Sequence, residues 1–339
     1  TLTKALRLDH IPPPRVAFVG AGGKTTALFQ LARELSPCIV TTTTHLGVWQ
    51  ATEADQHLII RKAEDVNQLE EIAFSGIILV TGEENRERLP SLSDESLSWL
   101  EQFSNYHSLP LLIEADGARQ KALKAPKENE PVIPDFIKTV IVVAGLSGIG
   151  KLLNEENVYN AESFAEIGKM KKGEKITAEN LSRFLLHKNG GLKGISSKAR
   201  RIALLNHTTS PELGAISGKI AKEILPKFDA VITTNLETSN LQTFETAAAI
   251  ILAAGSSSRF GQPKQLLDYY GKPFVRVVAE KALQAEISPV IVVTGAEDNE
   301  IRIALKDLPV EIVHNENWRD GQSSSIQTGI KKLSKHVGS

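Results

Sequence analysis

The sequence predicts an α/β protein of two domains in series: a P-loop-type domain built on a parallel sheet, then a partial Rossmann-like domain. Short apolar runs rich in β-branched residues alternate with helix-forming stretches along most of the chain, the order that builds parallel sheets. Twice such a run breaks into small residues followed by cationic ones, at Gly20-Ala21-Gly22-Gly23-Lys24-Thr25-Thr26 and at Leu252 to Lys264. Between them, polar Asn235 to Thr243 reads as a connection. The expected boundaries are 1–235 for the first domain, 236–246 for a linker and 247–339 for the second.

Composition narrows the class of ligand. With 39 Lys+Arg against 40 Asp+Glu, the formal charge is -1, so nothing global draws the chain to nucleic acid or to an anionic membrane. Any anionic ligand must be held by local groups. The single cysteine, Cys38, sits in the strand-like Cys38-Ile39-Val40 and reads as core, which fits a reducing compartment. No apolar run approaches the roughly 18 residues of a membrane span, and residues 1–15 lack a signal peptide's apolar stretch. A cytoplasmic protein with no membrane or nucleic-acid partner is expected; nothing in the sequence speaks to oligomeric state.

In chain order, Ile11-Pro12-Pro13-Pro14 stiffens the approach to the strand Val16-Ala17-Phe18-Val19. Gly20, Gly22 and Gly23 then lead into Lys24, Thr25 and Thr26 and a run of helix formers. Strand, glycine turn, Lys-Thr and helix is the order of a phosphate loop: free N–H groups cradle phosphate, Lys24 reaches the outer phosphates and the Thr25 hydroxyl meets magnesium. The spacing is Gly-x-x-Gly-Lys-Thr, shorter than the usual form, and Phe18 stands where that form has glycine. Cys38-Ile39-Val40 runs into Thr41 to Thr44 and His45, and in a parallel sheet this strand end lies near the phosphate loop. Thr44 and His45 are placed to face magnesium, an outer phosphate or a second substrate, with local hydrogen bonding the alternative for His45.

Further strands are read at Leu58-Ile59-Ile60 and Ile77 to Val80, and a helix from Ser91 to Phe103; the charges of Glu83 to Arg88 read as solvated surface. Leu111-Leu112-Ile113 closes on Glu114 and Asp116, two carboxylates on one side of a strand end, suited to magnesium opposite a phosphate loop or to capping the next turn. Arg119, Lys121 and Lys124, followed by proline-stiffened turns, suggest an anion-facing lid. Strands follow at Thr139 to Val143, Arg201 to Asn206 and Ala230 to Thr234, with helices within 161–185 and over 211–225. Asn206-His207-Thr208-Thr209 lacks the Lys and Asp of a guanine-reading strand end, so no guanine preference follows.

Gly20 to Thr26, Thr41 to His45, Glu114-Ala115-Asp116-Gly117-Ala118-Arg119 and Lys124-Ala125-Pro126 to Pro134 together resemble the accessory proteins for selenium-dependent molybdenum hydroxylases, over residues 10 to about 235. The resemblance implies a nucleotide-binding maturation factor, with ATP or GTP as ligand and a molybdenum hydroxylase apoenzyme as partner. The phosphate loop and carboxylate pair point separately to nucleotide hydrolysis or phosphoryl transfer.

In the second domain, Ala247 to Leu252 reads as a strand that hands over to Ala253, Ala254, Gly255, Ser257 and Gly261, with Arg259 and Lys264 as cationic arms spaced to straddle a triphosphate. A helix over 275–285, strands at Val290 to Val293 and Val310 to Val313, and a helix behind Gly321 and Ser325 repeat the β-loop-α order. This pattern, with Asn315 and Trp318, looks like the molybdenum cofactor nucleotidyltransferases, which join a nucleotide to a pterin phosphate and release pyrophosphate. Ala254 resembles the cytidylyltransferase branch, implying CTP and molybdopterin as substrates, while Pro263-Lys264-Gln265 is shared with a branch acting on another small phosphorylated substrate. Arg259 and Lys264 then neutralise the departing pyrophosphate, with Mg2+ held by carboxylates. The strand and metal-binding aspartate that the family places after the helix at 326–332 are not reached by Ser339, so the domain is expected to be truncated and unable to complete the transfer alone. Two readings stay open: a fused enzyme, or a nucleotide-driven switch or insertion chaperone whose second part is a docking module.

Overall fold

The structure is a computed structural model that describes residues 1–9, 12–72, 74–238, 240–257, 261–285 and 287–333. It divides into two compact units, Thr1–Glu245 and Thr246–Ser339.

In the first unit, nine strands form one sheet among the described residues. They are β1 (Arg15–Gly20), β2 (Cys38–Thr42), β3 (Gln56–Ile59), β4 (Ile77–Thr81), β5 (Leu111–Glu114), β6 (Thr139–Gly145), β7 (Arg200–Asn206), β8 (Ala230–Asn235) and β9 (Asn240–Phe244). Their order is β9-β8-β7-β6-β1-β5-β2-β4-β3, parallel throughout except for antiparallel β9. Strand residues alternate between two cores. Val16 and Phe18 pack with the short helix α1 (Leu2–Ala5) and α2 (Lys24–Leu35), whereas Ala17 and Val19 face the layer of α3 (Asp94–Tyr106), α4 (Ala161–Gly168), α5 (Ala178–Leu186) and α6 (Pro211–Ile224). Covered on both faces, the central strands are largely apolar, as parallel sheets require. Hydroxyl caps start several helices: Ser93 accepts from the Ser96 N–H, Thr177 from Asn180 and Ser210 from Leu213, just before Pro211 at the first helical position.

One expectation is corrected here. Residues expected to be linker carry β9, whose Asn240 to Phe244 pair with Asn235 to Val231. A polar edge strand lacks the apolar alternation that would reveal it in sequence.

The second unit has a parallel sheet of β10 (Ala249–Ala253), β11 (Val290–Thr294) and β12 (Glu311–His314) in that order. Helices α7 (Phe274–Gln284) and α8 (Asp298–Ala304) cover one face over Ala253, Val275, Ala279, Val292, Ile301 and Leu305. Helix α9 (Gln322–Leu333) covers the other, brought close by Gly329, where a Cβ would lie 2.5 Å from an Ile250 methyl.

Candidate functional site

The carboxyl ends of β1, β5, β6 and β7 converge on one edge, since Phe18 pairs with Glu114, Gly20 with Val143 and Asn206 with Gly145. There β1 hands over to α2 through Gly20–Gly23. Gly22 and Gly23 have φ of 85° and 109°, and a Cβ on them would fall 2.3 Å from the Gly145 nitrogen and 2.2 Å from Asn206 Nδ2. Only glycine fits. The Asn206 amide donates to the Gly22 carbonyl at 2.9 Å and accepts from the Leu236 N–H at 3.1 Å, fixing the turn from the far side.

The buried Lys24 leaves this turn and meets both expected carboxylates. Its Nζ lies 2.7 Å from Glu114 Oε1 and 3.2 Å from Asp116 Oδ1, and it donates to the Asp116 carbonyl. Burial alone would lower the Lys24 pKa, but the charges of Glu114 and Asp116 outweigh it and hold the ammonium above its ordinary value. Thr25 Oγ1 donates to Glu114 Oε2 at 2.7 Å and accepts from Gln50 Nε2 at 2.8 Å. Thr25 and Glu114 thus form a pair of hard oxygen donors of the kind magnesium takes beside phosphates and water. Among the described residues no cluster of three or more His, Cys, Asp or Glu side chains stands ready for a metal.

Asp116 does different work. Its carboxylate accepts from the Gly20 N–H at 3.1 and 3.0 Å and pairs with Lys124 at 2.9 Å as well as with Lys24. With these partners it braces the turn, and Glu114 is the carboxylate beside Thr25. Lys124 departs from its expected place on a lid: it is buried, tied to Asp116, to Glu130 at 2.8 Å and to the Gly117 carbonyl at 2.6 Å. Burial would raise the Glu130 pKa, but the Lys124 hydrogen bond and charge bring it below the ordinary carboxylate value.

A cleft of about 1090 Å³ opens over Gly22, Gly23, Lys24, Thr25 and Thr26. Gly20 sits behind it as part of the brace. Arg119 and Lys121 line it, as does His45, whose pKa is lowered by burial and by Arg88. Thr44 does not; it lies in a neighbouring cavity together with His45. Three lining features were not read from sequence: the Ser147 hydroxyl, 2.8 Å from His207 Nδ1; Gln50 behind Thr25; and Trp49, 60% exposed. They arrive from distant strand ends and a 3-10 turn, where sequence carries no local motif for them. Burial lowers the His207 pKa too.

In the second unit, a cavity of about 600 Å³ is lined by Leu252, Ala254, Gly255, Gly321 and Ser325, together with Ser256, Trp318, Arg319 and Gln322. Ala253 is buried beneath it. Ser257 shapes the loop, accepting from the Lys264 N–H at 2.9 Å, while Gln265 Nε2 donates to the carbonyls of Ala253 and Gly255 at 3.0 and 2.5 Å. Lys264 opens a 3-10 turn and Gly261 is exposed; neither lines the cavity, and Arg259 lies outside the described residues. Two serines of α9 are engaged within the protein: Ser325 accepts from the Asn315 amide at 3.0 Å, and Ser324 donates to the Gly321 and Asn317 carbonyls.

Comparison with known proteins gives these two sites a lineage. The family described as YqeC protein matches residues 16–162, which contain the glycine turn, Lys24, Glu114, Asp116 and Lys124. An uncharacterized protein YqeC from Escherichia coli strain K12 is 30% identical over 207 residues, covering 59% of this chain and 78% of that protein. This chain belongs to the YqeC family. Behind its YqeC part, residues 249–338 match a MobA-like NTP transferase domain. No solved structure matches the chain. The family model's match ends at residue 162, ahead of Asn206 and His207 at the end of β7. No helix among the described residues is long and apolar enough to cross a membrane.

Proposed function

We propose that the chain is a maturation protein of molybdenum enzymes with two nucleotide sites. In the first unit ATP or GTP binds in the cleft over Gly20–Thr26, its outer phosphates taking Lys24 from the carboxylates, with hydrolysis or phosphoryl transfer as the reaction. Thr25 and Glu114 hold a magnesium ion, which offsets phosphate charge when bound. In the second unit CTP takes the cavity over Leu252–Gly255. The chemistry this type of loop serves is attack of a pterin phosphate oxygen on the α-phosphorus, with the bond to the bridging oxygen of the β-phosphate breaking, so that CMP stays on the pterin and pyrophosphate leaves. Arg259 and Lys264 neutralise that leaving charge. A molybdenum hydroxylase apoenzyme is the fitting partner.

The observation that carries this reading is the Lys24–Glu114–Thr25 constellation at a parallel-sheet switch point, on the same chain as a nucleotidyltransferase-type loop. Of the three tryptophans, Trp49 lines the first cleft, Trp318 lines the second cavity and Trp99 stacks on Phe103. Fluorescence titrations with magnesium and ATP, GTP or CTP, repeated on Trp49→Phe and Trp318→Phe chains, therefore assign each nucleotide to a site. ATP or GTP is expected to act through Trp49 and to weaken roughly 10- to 100-fold in Lys24→Gln, the loss of one charged hydrogen bond. CTP is expected to act through Trp318 and to weaken in Lys264→Gln. A purine nucleotide indifferent to Lys24 would sink the first half, and CTP without effect on Trp318 the second.

A further inference from the structure

The antiparallel pair His45–Gly47 and Arg88–Pro90 carries a second cationic feature beside the glycine turn. Its tip is Asn85-Arg86-Glu87-Arg88, closed by backbone bonds from the Asn85 N–H to the Arg88 carbonyl at 2.9 Å and from the Arg88 N–H to the Asn85 carbonyl at 3.1 Å. Arg86 and Glu87 both adopt left-handed backbone, φ 47° and 61°, in a turn that ordinarily selects Asn and Gly. Long charged side chains adopt that conformation only at a cost. Its effect is to set Arg86 and Arg88 along a cavity of about 590 Å³ whose other walls are Thr44, His45, Asn85 and Pro90.

Two properties of this cavity point one way. Neither guanidinium has a side-chain hydrogen bond or ion pair among the described residues, and no acidic residue lines the cavity; Glu87 faces the larger cleft instead. His45 and Arg88 line both this cavity and the larger cleft, so the two spaces meet across them. Guanidinium forks and an amide suit a tetrahedral oxyanion. The space exceeds what a bare phosphate fills.

We propose that this cavity is a phosphate-group site, clamped by Arg86 and Arg88, for an anion free or carried on a small molecule. Calling that anion a second substrate rests on the nucleotide reading of the adjoining cleft; the anion site itself does not.

The test is equilibrium dialysis of the whole chain with inorganic phosphate and with glycerol 1-phosphate, in native, Arg86→Gln and Lys24→Gln forms. ATP binding is followed in parallel by Trp49 fluorescence. Arg86 is exposed, so its variant is expected to fold as the native chain does, checked by an unchanged melting curve. Arg86→Gln is expected to weaken phosphate binding about tenfold, the loss of a charged hydrogen bond, while ATP affinity holds and Lys24→Gln leaves phosphate binding intact. Tighter binding of the monoester assigns the phosphate to a carried group, and equal binding to the free ion. No binding of either ligand at millimolar concentration, or binding lost in Lys24→Gln yet kept in Arg86→Gln, overturns the site. Arg86-dependent phosphate binding without any ATP binding would uphold the site and remove the nucleotide reading.

Discussion

The two loops of this chain, each set where a first strand ends, are held in shape by different physics. Around Gly20–Thr26 the ties are charges: Lys24 and Lys124 meet Glu114, Asp116 and Glu130 in a buried network reaching across 106 residues of sequence, from Lys24 to Glu130. Around Leu252–Lys264 the described ties include neutral ones: the Gln265 amide holds two carbonyls and Ser257 takes one backbone N–H. A charged network is strong when complete and costly when broken, because its remaining members stay buried without partners. Neutral bonds each contribute little, and water can replace them. Single substitutions in the charged network around the first loop are therefore expected to cost more than loss of one of these neutral bonds in the second.

The sharpest way to break that contrast is Asp116→Ala. It takes one carboxylate partner from each of Lys24 and Lys124, which keep Glu114 and Glu130, and leaves the Gly20 N–H without its acceptor, and is expected to cost the first unit about 3 kcal/mol, read from urea unfolding followed at Trp99. Gly23→Ala comes next. Its Cβ would collide with Asn206 Nδ2 at 2.2 Å in a left-handed backbone, a cost of roughly 1–3 kcal/mol, and Asn206→Gly in the same chain is expected to recover the steric part. Gln265→Ala in the second unit is expected to cost about 0.5–1.5 kcal/mol for each bond lost, read at Trp318. A loss as large as that of Asp116→Ala would erase the distinction between the loops.

Acid supplies the mildest perturbation. His45 and His207 both have folded pKa values below the ordinary 6.5, so the unfolded chain binds more protons and stability rises with pH. The stability they contribute is full above pH 6.5 and is lost as pH falls toward their folded values. Thermal melts between pH 7.5 and 5.5 are expected to show the first unit weakening, with a shallower slope in His45→Asn. A slope unchanged by that substitution would remove His45 from the account.

Much of this was legible in sequence where the signal is local. The order of strand, glycines, Lys-Thr and helix exposed the first turn, and Glu114 and Asp116 stood out because a strand's period of two sets them on one side. What local pattern could not separate was their labour: one carboxylate sits on the Thr25 hydroxyl and the other on the Gly20 amide, a difference set by tertiary packing alone. Lys124 read as a solvated cation because its counter-charges, Asp116 and Glu130, lie on turns whose course sequence does not determine. Glu83 to Arg88 read as mere surface for a related reason: exposure was right for Arg86 and Arg88, but the left-handed turn that sets them along a cavity has no Asn-Gly to announce it. The polar strand β9 carried no alternation to find.

The Asn206 amide has a consequence for how the first unit can be observed. One of its ends grips the Gly22 carbonyl and the other the amide of Leu236, just past β8. A ligand that stiffens or shifts the glycine turn therefore pulls, through Asn206, on the amide of Leu236 thirty residues beyond that asparagine, and the proton on Leu236 becomes a gauge of occupancy. Its rate of exchange with solvent deuterium is expected to slow when the turn is filled, at a residue that does not line the cleft.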